Sequence, residues 1–360
     1  MDVISSACYA NAGCGNRGFF WGEVMKTISR AAFVAASIFA ASTVLGQTAP
    51  AMNVLIGNAT VNDTQAAVND KFAELLTKYS GGRIKASARH GESLGSNAQM
   101  LAALQAGSVH GRIYPVGFGS TAVPELSMFE LPFLLPSEPA RVTAFAAQSK
   151  AAARMMELAE QKGIHIIGFH GIGPESLLTK FPVNKLADLQ GKKFRVIPSP
   201  PRIGTYQDWG AVARPMEFSE VYTALQQGTL DGMENPPDVI FKMRHYEVTK
   251  YYTITHHFTQ VSNVTVSKKW FDGLPKDLQD VVTRAGKDTI AFADVAYTKS
   301  QADSLEAMRK AVTVTNMPAA ELQKMRDLTR KGVWERMKAD PQKGPIVKLL
   351  EEDVARFNKM

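Results

Sequence analysis

Cysteine is almost absent. The 360 residues contain two, Cys8 and Cys14, both close to the N-terminus. From residue 15 onward there is no thiol to form a disulfide, attack a substrate or ligate a metal. Long apolar runs are equally scarce. Ala31 to Leu45 is the one extended stretch, and it is too short to be trusted as a spanning helix. Basic residues do not gather either. The net charge is +7, from 41 Lys and Arg against 34 Asp and Glu, yet Lys192-Lys193 and Lys268-Lys269 are isolated pairs. Nucleic-acid sites concentrate basic charge, often among aromatics, so this dispersal argues against such a partner. A diffuse positive balance suits the capture of small anions.

Catalytic signatures are few. The chain has no SxxK, no HExxH and no GxxxxGK[ST]. Gly171-Ile172-Gly173 runs into Pro174 and completes no dinucleotide fingerprint; it reads as a turn cluster. His256 and His257 are adjacent, which sends their side chains to opposite faces of a strand. His110 and His245 have no neighbour at metal-ligand spacing. No catalytic residue, cofactor or metal is expected.

The N-terminus reads as an export signal. Lys26 and Arg30 form a basic region, Ala31 to Leu45 an apolar one, and Val44-Leu45-Gly46-Gln47 offers small residues for cleavage. Gln47 stands where a lipid-anchored form needs Cys. The true start is expected at Met25 and the mature chain from residue 47, exported to the periplasm.

Beyond the leader, one phrase occurs twice. Residues 103–111 read ALQAGSVHG and residues 224–232 read ALQQGTLDG. Each follows an apolar helical stripe, reaches a glycine suited to a left-handed helix end, and continues as a short apolar strand. Around the first copy, strands at 53–56, 83–88 and 108–113 alternate with helices from Asp63 or Thr64 and over 96–106. That order implies a parallel sheet with helices on its faces. A helix is expected from 141 to 162, a strand at 164–169, and further strands at 176–180 and around 194–196. A helix should follow Pro201 and another cover 217–227. Long strands should follow within 251–267, then a long helix behind Pro275 to about residue 310. Two α/β lobes joined by several crossings fit this order, with the cleft between them as the default ligand site.

The chemistry is concentrated in GKKFRVIPSP (191–200) and MEFSEVYTALQQGTLDGMENPPDVI (216–240). Arg195 lies within a strand between Phe194 and Val196. Inside a cleft such a guanidinium needs an anionic partner. An organic carboxylate fills its planar fork bidentately; a protein carboxylate is the alternative. Asn235 precedes Pro236-Pro237, where it either caps a helix or offers its amide to a ligand. Phe218 on its helix suits core or pocket.

The run from Gly191 to Ile240 closely resembles the solute-binding receptors of tripartite ATP-independent periplasmic (TRAP) transporters, the DctP family. KFAELLTKYSGGRIKASARHGESLGSNAQMLAALQAGSVHG, VPELSMFELPFLL, HYEVTKYYTITHHF and SKKWFDGLPKDLQDVV resemble the same family, so the likeness covers almost the whole mature chain. The resemblance implies an α/β, two-lobed, periplasmic-binding-protein-like fold. Each lobe is then a sheet flanked by helices, with hinge strands and a long helix spanning both. The export-signal pattern assigns residues 1–46 to the leader and signal peptide. Residues 47–172 and about 261–300 make lobe I, 173–260 and about 301–330 lobe II, and 331–360 the C-terminal helices.

The resemblance also implies a small organic acid as ligand and two membrane subunits, small and large, as partners. Arg195 then grips the carboxylate, Asn235 contacts the same group and Phe218 lines the pocket. Asn58 lies beside the ligand, and Tyr114 and Pro115 face it from the first lobe. One departure stands out. Relatives that bind a second acidic group, or a sugar acid, often carry an arginine about twenty residues before the first; here that position is Glu175. Glutamate cannot grip a second carboxylate, which favours a monocarboxylate, hydroxylated, keto or aromatic. Glu175 is left to accept from a ligand hydroxyl or amine, to pair with Arg195, or to turn outward. A ligand-sensing receptor for a signalling partner, or an enzyme on the same scaffold with Glu175 as base, are the rival readings.

Overall fold

The computed structural model describes residues 51–359; the expected leader and signal peptide lie outside the described residues. The first elements alternate as the sequence implies: β1 (Met52–Gly57), α1 (Thr64–Tyr79), β2 (Ile84–Arg89), α2 (Asn97–Ala106) and β3 (Gly111–Pro115). Asp63 caps α1 by accepting the Ala66 N–H. The helix buries Val68, Phe72, Leu75 and Leu76, which share one face at 3.6-residue spacing. Two short helices follow at α3 (Val116–Gly119) and a 3₁₀ turn at Pro124–Glu130. The helix expected over 141–162 is two, α4 (Pro139–Gln148) and α5 (Lys150–Glu160). Ser149 divides them because its hydroxyl accepts the Ala152 N–H, starting a new helix.

β4 (Ile164–Thr179) is far longer than expected. The Gly171–Pro174 cluster is not a turn: the strand runs through it with register shifts at Gly171/Gly173 and Glu175/Leu177. Glycine is required there for contact rather than reversal. A Cβ on Gly171 would lie 2.6 Å from the Pro139 carbonyl oxygen. One on Gly173, at φ +153, would meet the Gln301 side chain at 2.9 Å.

The second half repeats the plan with β5 (Lys193–Val196), α6 (Pro200–Asp208), β6 (Val212–Pro215), α7 (Val221–Gln227), β7 (Gly232–Asn235) and α8 (Pro237–Lys242). β8 (Tyr251–Ser267) and α9 (Lys268–Asp272) lead to α10 (Lys276–Ala311), β9 (Thr313–Asn316), α11 (Ala319–Thr329), α12 (Glu335–Ala339) and α13 (Gly344–Phe357). The nine strands are hydrogen-bonded in the order β2-β1-β3-β8-β4-β7-β5-β6, with β9 beside β8. β1–β3 occupy one end and β5–β7 the other. The long antiparallel pair β4 and β8 belongs to both, so the two lobe sheets are continuous through the strands that join them.

Helix α10 has 36 residues and at 1.5 Å per residue is about 54 Å long. Its buried stripe begins with Leu278 and Val282 in the core of the first half. It ends with Met308 in the core of the second. Val333, Trp334, Ile346, Val347 and Leu350, from the C-terminal segment, pack back onto the first half beside Phe145, Ala151 and Met155.

The recurring phrase places the cavity walls. α2 ends at Gly107 (φ +87) and α7 at Gly228 (φ +79), both left-handed. β3 then starts at Gly111 and β7 at Gly232. A Cβ on Gly111 would sit 2.7 Å from Ile56, and one on Gly232 2.8 Å from the Leu178 carbonyl oxygen, so each closing glycine allows its strand to pack tightly.

Candidate functional site

A cavity of about 40 Å³ lies between the two ends of the sheet. Its wall from the first half carries Asn58, Thr60, Asp63, Gln65, Asn97, Arg112, Tyr114, Pro115 and Phe118. Its wall from the second carries Arg195, Ile197, Phe218, Asn235 and Val239, with Ile172 and Gln260 from the bridging strands.

Arg195 projects from β5 and is 2 % exposed. Its Nε and Nη2 donate to the Met216 carbonyl at 3.1 and 3.0 Å, which fixes the plane of the guanidinium. The Phe218 ring lies 5.6 Å away, within cation–π range. Among the described residues no carboxylate comes within 4.0 Å of it, so the alternative of an internal ion pair is not realised. Burial pulls its pKa down to about 10, still far above neutrality. Asn235 ends β7 rather than capping a helix. Pro236 is the cap residue of α8, and the Asn235 amide nitrogen is buried with no partner among the described residues. Phe218 sits in a 3₁₀ turn ahead of α7 and is buried against the wall.

Tyr114 and Pro115 close β3 on the opposite wall. Asn58 lines the cavity too, but its amide donates locally, to the Thr60 carbonyl at 2.9 Å and the Thr60 hydroxyl at 3.2 Å. Six of the seven expected residues therefore share one cavity.

Glu175 does not. It is fully buried one layer behind the wall, and none of the three roles expected for it is what the structure contains. Its partner is Arg202 of α6, whose Nη1 donates to it at 2.5 Å and to Glu234 at 3.0 Å, while Arg202 Nε donates to Glu130 at 2.8 Å. Gln260 donates to Glu175 at 2.8 Å from the cavity side. Three desolvated carboxylates share one guanidinium, so burial wins over attraction and Glu175 is pushed up to about 7.

Two cavity residues lie outside the sequence expectation. Arg112 on β3 is fully buried, with Nη1 and Nη2 on the Asn97 carbonyl and side-chain oxygens at 3.0 and 2.6 Å. The reasoning that selects Arg195, an arginine inside an apolar strand, also selects Arg112. Asp63 reads in sequence only as a helix cap; it is that, and it also lines the cavity. Burial raises its carboxyl to about 7.

The halves touch beside the cavity. Asn97 Nδ2 donates to Glu217 at 2.9 Å, and the Thr64 N–H donates to Asp238 at 3.2 Å. Gln301 of α10 donates to the Ile172 carbonyl at 3.0 Å and accepts from the Asp238 N–H at 3.1 Å.

Gly91-Glu92-Ser93-Leu94-Gly95 matches G-x-S-x-G, but Ser93 is an exposed residue of a turn between β2 and α2, not a strand-to-helix elbow. No group of three His, Cys, Asp or Glu among the described residues is placed to hold a metal.

Residues 57–340 match the family model of the bacterial extracellular solute-binding proteins, family 7, DctP. The chain belongs to this family. It is 32% identical over 247 residues, 68% of its length and 73% of the relative's, to the C4-dicarboxylate-binding periplasmic protein DctP of Rhodobacter capsulatus. It is 30% identical over 247 residues, 68% of its length and 71% of the relative's, to the ectoine/5-hydroxyectoine-binding periplasmic protein UehA of Ruegeria pomeroyi. Among solved structures, a TRAP periplasmic solute-binding protein from Desulfovibrio salexigens with bound orotic acid superposes with a TM-score of 0.80 at 28% identity, covering 85% of this chain and 99% of that one. One from Sulfitobacter with bound β-D-galacturonate gives 0.78 at 28% identity, covering 83% and 99%. The DctP-family chain thus has the two-lobed fold of TRAP solute receptors, and its relatives are receptors of transporters rather than enzymes. The family members are periplasmic, and among the described residues no helix is long and apolar enough to cross a membrane.

Proposed function

We propose that this DctP-family protein is the extracytoplasmic receptor of a TRAP transporter, that it binds a small monocarboxylate in the interlobe cavity, and that it delivers it to the small and large membrane subunits. The observation that carries the reading is Arg195: a buried, charged guanidinium on the cavity wall without a carboxylate of its own. A ligand carboxylate supplies the anion, and the Asn235 amide nitrogen is placed on the same wall to donate to it. Phe218 packs on the guanidinium and covers the ligand's apolar part. Asn58, Tyr114 and Pro115 close the other side. Glu175 acts from behind, holding Gln260 in place.

Charge favours a monocarboxylate. The ionisable side chains of the wall are Arg112 and Arg195 against Asp63, apart from the neutral Tyr114. With Asp63 ionised, as it is above about pH 7, that balance leaves one positive charge, which a monoanion cancels. The proposed lobes are 47–172 with about 261–300, and 173–260 with about 301–330. The hinge falls at the irregular Gly171–Gly173 stretch of β4 and its partner Gln260-Val261 on β8. Closure brings Asn97 to Glu217 and Thr64 to Asp238, shifting an open–closed equilibrium. One charge-assisted pair with burial supports micromolar or tighter binding, roughly −8 kcal/mol.

The test is a thermal-shift screen of the secreted protein with lactate, pyruvate, propionate, succinate, orotate and galacturonate, followed by calorimetry. A bound acid raises the melting temperature by mass action. Monocarboxylates should outrank succinate; a preference for succinate would overturn the monocarboxylate reading.

A further inference from the structure

We propose that Asp63 is a specificity-determining residue of the cavity and that it selects small hydroxy acids, the ligand hydroxyl donating to Asp63 Oδ2 while the carboxylate lies on Arg195. The proposal rests on the reading of Arg195 given above.

Asp63 lines the same cavity as Arg195 and is 4 % exposed. Its two oxygens are used unequally. Oδ1 takes the Ala66 N–H at 2.9 Å and the Thr60 hydroxyl at 2.7 Å. Oδ2 is buried and takes no donor among the described residues. A buried carboxylate oxygen left without a donor is costly. The other unpartnered polar atoms of this wall differ in kind. Arg112 Nε and Asn235 Nδ2 are donors, and the Tyr114 hydroxyl can act either way. Once Asp63 is ionised, its Oδ2 is the one pure acceptor of the set. A ligand that satisfies the wall therefore brings acceptors for those donors and at least one donor for Asp63.

Hydroxyl and ammonium are the donors available to a small acid. The charge balance decides between them. With Asp63 ionised the wall carries one net positive charge, so a hydroxy acid neutralises it, whereas an amino acid zwitterion leaves it buried and unbalanced. A 2-oxo acid has no donor and turns a second lone pair toward Oδ2. The order of binding is thus hydroxy acid, then unsubstituted acid, then oxo acid.

The experiment is titration calorimetry at pH 8, above the range where Asp63 holds its proton. Wild type, Asp63→Asn and Arg195→Ala are each titrated with matched sets. These are lactate, pyruvate and propionate, then 2-hydroxybutyrate, 3-hydroxybutyrate, 2-oxobutyrate and butyrate. Asparagine keeps the size and capping ability of the residue but places a donor at the Oδ2 position. In wild type, one hydroxy acid should bind at least tenfold more tightly than its oxo and unsubstituted counterparts. In Asp63→Asn the hydroxy-to-oxo ratio should fall at least tenfold. A ratio within one protein is insensitive to a general loss of affinity, and the wild-type ranking stands without any variant. Equal wild-type binding of hydroxy and oxo acids, no binding of any hydroxy acid, or an unchanged ratio in Asp63→Asn each overturns the proposal. If Arg195→Ala abolishes binding while wild type shows no hydroxyl preference, the Asp63 inference falls and the carboxylate reading survives. If Arg195→Ala binds as wild type does, both fall.

Discussion

Replacing Arg195 isolates the interaction on which capture of an acid depends. The guanidinium spends Nε and Nη2 on the Met216 carbonyl, at 3.1 and 3.0 Å. The edge bearing Nη1 is left for a ligand. Lysine has one nitrogen and no fork, so it cannot hold the carbonyl and grip a carboxylate in the same plane. Truncating one partner of a buried, hydrogen-bonded charge pair costs about 2–5 kcal/mol. At 1.4 kcal/mol per decade that is roughly 30- to several-thousand-fold in Kd. Arg195→Ala should lose the full range and Arg195→Lys at least the lower part. The fold should tolerate the alanine. The loss of two hydrogen bonds to Met216 costs about 1–3 kcal/mol, partly offset because a desolvated cation is removed. Calorimetry with the best acid from the screen, on samples matched by circular dichroism, reads the effect. A Kd within threefold of wild type for Arg195→Ala would refute the placement of the carboxylate.

Asn235→Leu keeps the branched shape and removes a buried amide nitrogen that has no partner, at the cost of one long bond from Gln260, so the ligand-free melting temperature should hold or rise while affinity falls about tenfold; calorimetry and thermal denaturation together check this. Gly173→Ala should destabilise by about 1–3 kcal/mol, because the backbone is at φ +153 and the new Cβ meets Gln301 at 2.9 Å; urea denaturation measures it. Glu175 gives a pH signature. Its native pKa of about 7 lies above the ordinary 4.5, so its contribution is complete below about 4.5 and is lost as pH rises through 7. Glu175→Gln should therefore flatten the decline of melting temperature between pH 5 and 8, and an unchanged slope would argue against the raised value.

What the sequence discloses is what local pattern controls. The stripe Val68, Phe72, Leu75, Leu76 marks α1, and the glycines at 107 and 228 mark two helix ends, because each signal lies within a few residues of the structure it dictates. Arg195, Asn235 and Phe218 are legible as chemistry placed in or beside apolar elements. Glu175 is not. The register shift between Glu175 and Leu177 breaks the strand alternation, and the partner, Arg202, lies on a helix 27 residues further along the chain. The same limit explains why Gly171–Pro174 looks like a turn: glycine demanded by a neighbouring helix cannot be told from glycine demanded by a reversal. Asp63 is hidden for another reason, since a helix cap and a cavity wall ask for the same side chain.

The Arg202 cluster carries a consequence for what the native molecule contains. With Glu130, Glu175 and Glu234 gathered on a single cation, full ionisation would leave two uncompensated negative charges in the interior. A hydrogen ion retained near neutrality is then as much a constituent of the folded receptor as any side chain, and alkaline solution should loosen the region directly beneath the acid-binding wall first.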